Sequence, residues 1–157
     1  MPGLEDLYRE IILDHYRSPR NRGELPVPPA HMSEGFNPLC GDEIRVFLDV
    51  HDGVVTDIRI AGQGCSISQS SASMMSSAVK GKTVAEARRV LAAFKAMMSI
   101  HEAGLDGADG ETDASLADVK LGDLEALRGV VKFPVRIKCA TLAWNTLSQG
   151  LDDVEAP

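Results

Sequence analysis

Three features of this 157-residue chain predict a mixed fold in which helices surround an antiparallel hairpin. Apolar residues alternate through Ile44, Val46, Leu48 and Val50, and an alternating run returns at Val54, Thr56, Ile58 and Ile60, with Asp52-Gly53 between the two. Alternation marks strands, and Asp-Gly between two such runs marks a hairpin turn. Leu4, Leu7, Tyr8, Ile11 and Ile12 fall at helical spacing among Glu5, Asp6, Arg9 and Glu10, the pattern of an amphipathic helix. Thr83-Val84-Ala85-Glu86 is a capping box. It opens a helix with Ala87, Val90, Leu91, Phe94, Met98 and His101 on one face.

The first helix should end near Ser18-Pro19, because a residue before proline disfavours helical angles. His15 lies in its last turn and reads as a surface residue favoured by the helix dipole. Residues 19–30 form a connector kept extended by Pro26, Pro28 and Pro29. His31 to Asn37 carries a weak strand pattern. After the hairpin comes Ala61-Gly62-Gln63-Gly64-Cys65-Ser66, where two glycines permit unusual backbone angles beside a thiol. A helix from about Ser66 or Ser68 to Val79 follows, with Ile67, Met74, Met75, Ala78 and Val79 as its apolar face and Gly81 as its end. Its first half is rich in hydroxyls: Ser66, Ser68, Ser70, Ser71 and Ser73.

An acidic insertion is expected at about 103–120. Asp109, Glu111 and Asp113 resemble the opening of a calcium loop, but Ala114 and Lys120 stand where glycine and glutamate are required. The stretch therefore reads as a surface loop. Leu121 to Arg128 suits a short helix, and Pro134 opens a last helix to about Leu147. Ile137, Ala140, Leu142, Ala143, Trp144 and Leu147 make much of that helix apolar. The acidic tail, about 150–157, is expected to be frayed and flexible.

Length and a hydrophobic fraction of 44% fit one globular domain spanning 1–157. A net charge of −7 argues against a nucleic-acid surface. No apolar run approaches the roughly 20 residues that cross a bilayer. The first residues lack a basic segment followed by an apolar one, so a cytoplasmic protein without a membrane partner is expected. Three cysteines suggest no disulfide framework.

Those cysteines, Cys40, Cys65 and Cys139, are where the chemistry concentrates. Any one alone is readily a buried small hydrophobe. Their contexts point elsewhere: Cys40 sits in Asn37-Pro38-Leu39-Cys40-Gly41-Asp42, Cys65 between a glycine turn and a helix N-terminus, and Cys139 near a helix start. A helix N-terminus favours negative charge on sulfur. With Asp42 the cysteines make a four-ligand set for a thiophilic metal, although no CxxC pair is present. A Cys–His nucleophile would need His31, His51 or His101 nearby, and nothing in the spacing implies it.

The stretch Asn37 to Asp42, together with Gly62-Gln63-Gly64-Cys65-Ser66-Ile67-Ser68 and Arg136-Ile137-Lys138-Cys139, resembles the iron–sulfur cluster assembly scaffolds of the IscU/NifU N-terminal family. The resemblance extends over nearly the whole chain, from the Leu7-Tyr8 helix through Asp14-His15-Tyr16-Arg17-Ser18-Pro19-Arg20-Asn21. It is nearest the SufU branch. The family's Leu-Pro-Pro-Val-Lys-Ile-His-Cys reads here Lys132-Phe133-Pro134-Val135-Arg136-Ile137-Lys138-Cys139, and the acidic insertion is similar to that branch's. Lys138 in place of the histidine removes one candidate cluster ligand, and the chaperone-recognition motif is degraded.

The resemblance implies an α+β fold, a three-stranded antiparallel sheet packed against about five helices. It implies that Cys40, Asp42, Cys65 and Cys139 hold zinc or a transient iron–sulfur cluster. It implies a SufS-type cysteine desulfurase as partner, delivering persulfide sulfur, and apo iron–sulfur proteins as acceptors. Cys40 is the expected sulfur acceptor, with Arg136 auxiliary. Three readings remain open: a cluster scaffold, a zinc-dependent sulfurtransferase that activates the desulfurase without carrying a cluster, and a structural zinc domain. The expectation is a scaffold or sulfur-acceptor protein rather than a stand-alone enzyme, with sulfurtransferase activity left open.

Overall fold

The computed structural model describes residues 2–27, 29–38, 41–106, 122–132 and 134–155. Helix α1 (Pro2–Arg17) leads into strands β1 (His31–Asn37), β2 (Asp42–His51) and β3 (Val54–Gln63). Then come α2 (Ser66–Val79), α3 (Val84–Asp106), a 3-10 helix (Gly122–Lys132) and α4 (Pro134–Glu155). The strands form one antiparallel sheet in the order β1-β2-β3. This is the expected α+β architecture, with the weakly patterned stretch 31–37 as its edge strand.

Local sequence explains the sheet. Asp52 and Gly53 take φ of 54° and 76°, the two positive angles of the tight turn that matches strand twist. Alternation then sends Ile44, Val46, Leu48, Ile58 and Ile60 to one face, where all are buried. Helices α2 and α4 lie on that face, with α1, α3 and the 3-10 helix packed outside them. Phe94 of α3 stacks on Trp144 of α4 with centroids 4.4 Å apart, a favourable offset aromatic pair.

The connector turns instead of staying extended as its prolines predicted, since the Ala30 N–H donates to the Pro26 carbonyl at 3.0 Å, and it does more than connect. Ile60 exchanges backbone hydrogen bonds of 2.9 Å with Asn21 and Gly23, so residues 21–23 pair with the outer edge of β3. Glu24 meets Arg45 of β2 at 2.9 Å.

Three further expectations are corrected. Helix α3 continues to Asp106, so residues 103–106 are helical and not part of a loop; residues 107–121, and with them the calcium-loop test, lie outside the described residues. The tail expected to fray from Gly150 is the end of α4, which reaches Glu155. Gly150 is there for clearance: a Cβ on it would lie 2.9 Å from Leu48 Cδ1 and 3.0 Å from Ser33 Oγ. Leu151 is fully buried, and Asp152 and Asp153 pair with Arg88 and His31. The third correction is His15, which is 3% exposed. It continues the inward stripe of Tyr8, Ile11 and Ile12 and bonds to Ser73 Oγ at 2.8 Å and Asp123 Oδ2 at 2.9 Å.

Candidate metal centre

The sheet ends, α2 begins and α4 makes its first turns at one place. Asp42 is the first residue of β2 and is fully buried. Cys65 is the N-cap of α2, and Cys139 lies in the early turns of α4, 2% exposed. One ligand atom from each of Asp42, Cys65 and Cys139 lies within 4.8 Å of the other two. Both cysteines are thiols.

Each group is held by a local device. Asp42 Oδ1 accepts the Cys65 backbone N–H at 2.9 Å, which leaves Oδ2 facing Cys65 Sγ at 4.0 Å. That approach requires Gly64, because a Cβ there would sit 2.5 Å from Asp42 Oδ1. Gly62 is required too, with φ of +125° and no room for a Cβ against the Glu43 carbonyl. Cys65 Sγ accepts the Ser68 N–H at 3.4 Å. Cys139 Sγ receives the Asn37 Nδ2–H at 3.8 Å.

The buried serines of α2 are buttresses and not part of an active surface. Ser71 Oγ donates to the Ala140 carbonyl at 2.6 Å and accepts the Trp144 Nε1–H at 3.0 Å, binding α2 to α4 beside Cys139. Ser68, Ser70, Ser71, Ser73 and Ser76 are all buried.

The donor set fits a thiophilic metal. Zn–S bonds of about 2.3 Å place two sulfurs on one zinc roughly 3.5–4.5 Å apart, within the span observed here. Asp42 adds a buried carboxylate, and among the described residues no basic side chain forms an ion pair with it. A buried anion of that kind calls for a cation. Cys40, the fourth expected ligand, lies outside the described residues. Its described neighbour Gly41 donates its N–H to the Asn37 carbonyl at 2.9 Å. Arg136 and Lys138 are exposed on α4, on either side of Ile137 and close to Cys139 in the chain.

Among the described residues the Cys–His alternative finds no support. His31 pairs with Asp153, fourteen positions beyond Cys139 and so roughly 21 Å along the helix at 1.5 Å per residue. His51 closes the far end of β2, roughly 30 Å from Asp42 at about 3.3 Å per residue. The His101 side chain lies outside the described residues. Ser73, His15 and Asp123 do form a chain in the order of a hydrolase triad. Ser73 is fully buried, however, and its Oγ already accepts the Arg20 N–H at 2.8 Å, so substrate has no approach.

Sequence reasoning missed Asn37, Gly64 and His15. For His15 a signal existed, since it stands three and four positions after Ile12 and Ile11 on the apolar stripe. For Asn37 and Gly64 the role appears only once β1, β2 and α4 meet.

Comparison with known proteins agrees with this geometry. The family described as the NifU-like N terminal domain matches residues 7–140. The zinc-dependent sulfurtransferase SufU of Bacillus subtilis (strain 168) is 44% identical over 148 residues, covering 94% of this chain and 91% of that protein. The iron–sulfur cluster assembly scaffold protein IscU of Thermotoga maritima is 36% identical over 151 residues, covering 96% of each. Among solved structures, an iron–sulfur cluster assembly scaffold of the SUF system from Fervidobacterium islandicum AW-1 superposes with a TM-score of 0.74 at 30% identity, covering 90% of this chain and 94% of that one. With fold, site and relatives in agreement, the chain belongs to the NifU-like N-terminal domain family, the family of the IscU and SufU proteins.

Proposed function

We propose that this protein accepts persulfide sulfur from a cysteine desulfurase at a zinc centre formed by Cys40, Asp42, Cys65 and Cys139, and supplies it for iron–sulfur cluster assembly. The observation that carries the reading is the convergence of Asp42, Cys65 and Cys139 from three separate elements to within 4.8 Å. The relative named a zinc-dependent sulfurtransferase supports it. When bound, zinc would keep the cysteines as thiolates at neutral pH.

The chain's own residues account for the transfer. Cys40 thiolate attacks the outer sulfur of the desulfurase persulfide. The S–S bond of that persulfide breaks, the desulfurase cysteine departs as thiolate, and Cys40 carries the new persulfide. One sulfur atom moves and the redox state is unchanged. Asp42 and Gly64 fix the Cys65 backbone, and Asn37 and Ser71 fix the neighbourhood of Cys139. Arg136 and Lys138 supply exposed positive charge for the departing thiolate. The desulfurase is of the SufS type, apo iron–sulfur proteins receive the sulfur downstream, and the process is placed in the cytoplasm. No described helix is long and apolar enough to cross a membrane.

A second reading, a scaffold that builds the cluster itself, is favoured by relatives named as IscU scaffolds. Lys138 in the position of the family's histidine favours sulfur relay. The test is a desulfurase assay with anaerobically purified protein. Cys40→Ala should abolish sulfur acceptance, and full acceptance by that variant would overturn the role of Cys40. Cluster absorbance on addition of ferrous iron, transferable to an apo-protein, would replace relay by scaffold. Zinc binding with no effect on desulfurase turnover would leave a structural zinc domain.

A further inference from the structure

The last row of the sheet pins both described cysteines. Asn37 ends β1 directly across from Asp42, the first residue of β2. Both side chains are buried, at 6% and 0% exposure. Asp42 engages the backbone of Cys65, and Asn37 engages the sulfur of Cys139. Asn37 also bonds through its backbone. Its carbonyl accepts the Gly41 N–H at 2.9 Å, a bond that brackets Leu39 and Cys40 in the sequence. Gly41 sits at φ of +69°, the left-handed angle that ends such a turn.

The two sulfurs differ in how they can be steadied. Cys65 caps a helix and draws an N–H from that helix, Ser68, at 3.4 Å. Cys139 lies within α4, where the neighbouring backbone N–H groups serve the helix itself. Its Sγ faces the Val135 carbonyl of the same helix at 3.8 Å, and Asn37 sends it an N–H from 102 residues away. A donor on a thiolate absorbs part of its charge and fixes its orientation, as outer-shell partners of metal ligands do.

We propose that Asn37 is a positioning residue of the metal centre, whose carboxamide N–H holds the Cys139 sulfur in its ligating orientation. The inference rests on the zinc-centre reading above. Two variants separate a donor role from mere packing. Asn37→Ala removes the whole amide. Asn37→Asp keeps the shape and the acceptor oxygen and exchanges only the N–H group, so a packing role makes it the milder change.

The experiment is zinc competition against a chromophoric chelator, with the spectrum of the cobalt-loaded protein recorded alongside. Asn37→Ala should weaken zinc about tenfold or more, the range for outer-shell partners. Asn37→Asp should weaken it at least as much, since a carboxylate then faces a thiolate. In both variants the sulfur-to-cobalt charge-transfer band should move to lower energy as the sulfur regains electron density. In a Cys139→Ala background, the substitution at Asn37 should cost less than it does in the wild type, because the sulfur that accepts its N–H is gone. Zinc affinity within twofold of wild type, an unshifted band, or tighter binding by Asn37→Asp through ligation would overturn the role of Asn37 alone. Failure of the wild-type protein to bind zinc would overturn the centre and this inference together. Should Asn37→Ala not fold, the comparison of Asn37→Asp with wild type decides by the same criteria.

Discussion

Helices α2 and α3 begin with the same geometry built from different atoms. At α3, Thr83 Oγ1 accepts the Glu86 N–H at 3.0 Å, and Glu86 Oε1 accepts the Thr83 N–H at 3.1 Å. That reciprocal pair satisfies two backbone donors the helix cannot satisfy itself. At α2 the capping atom is Cys65 Sγ, which accepts the Ser68 N–H at 3.4 Å. The carboxylate that accepts the N-cap N–H is Asp42, brought from β2 and not from the helix, at 2.9 Å. The first turn of α2 has no acid of its own. The helix start at α3 serves the helix alone. At α2 the same two positions are filled by a thiol and a carboxylate that are also two of the proposed metal ligands, and sulfur is a poorer acceptor than oxygen. The difference shows where capping strength has been exchanged for chemistry.

The sharpest way to break the comparison is to restore oxygen at α2. Cys65→Ser should eliminate stoichiometric zinc while stabilising the metal-free protein by up to about 1 kcal/mol, the scale of an N-cap effect. Zinc analysis and urea unfolding of the apo-protein read the two consequences separately. Next comes the supporting glycine. Gly64→Ala drives a Cβ into Asp42 Oδ1, and overpacking of this kind costs about 1–3 kcal/mol. It should weaken zinc as well, since the carboxylate must move. Ser71→Ala leaves the buried Trp144 Nε1–H without its acceptor, at a cost of about 1–3 kcal/mol. Its signature is a shift in the emission of the single tryptophan.

The control lies at α3. Thr83→Ala should cost about 1 kcal/mol and leave zinc affinity unchanged. The smallest effect is a pH dependence. Hydrogen bonds from the Thr83 backbone and hydroxyl hold the Glu86 carboxyl below its ordinary value of 4.5. A lowered carboxylate value means the contribution is complete above that ordinary value and is lost as pH falls through the folded one. NMR titration should find Glu86 below an unstructured glutamate in the wild type, and closer to it in Thr83→Ala.

Much of this was readable before any coordinates. Asp52-Gly53 announced the hairpin because few residues tolerate two successive positive φ angles, and Thr83 to Glu86 announced α3 because its box is contiguous. Cys65 stood out as a thiol between a glycine turn and a helix start, Cys139 as a thiol near a helix start, and Asp42 as the carboxylate that completes the ligand set. What escaped was whatever depends on a distant element. The capping box of α2 is split between β2 and α2, so no local pattern reveals it. The end of α4 was misread because an acidic chain end reads locally as a frayed tail, whereas Leu151 is buried and Leu48 and Ser33 of the sheet require a glycine at position 150 within the helix. His15 looked like a surface residue because its partners, Ser73 and Asp123, come from later in the chain.

The central claim is that three sulfurs and one carboxylate surround a single metal, and zinc K-edge X-ray absorption of the wild-type protein tests it most directly. The expected result is three sulfur neighbours at about 2.3 Å and one oxygen at about 2.0–2.2 Å, falling to two sulfurs in any residual zinc bound by Cys65→Ser. A shell dominated by nitrogen and oxygen, or one unchanged by Cys65→Ser, would contradict the account.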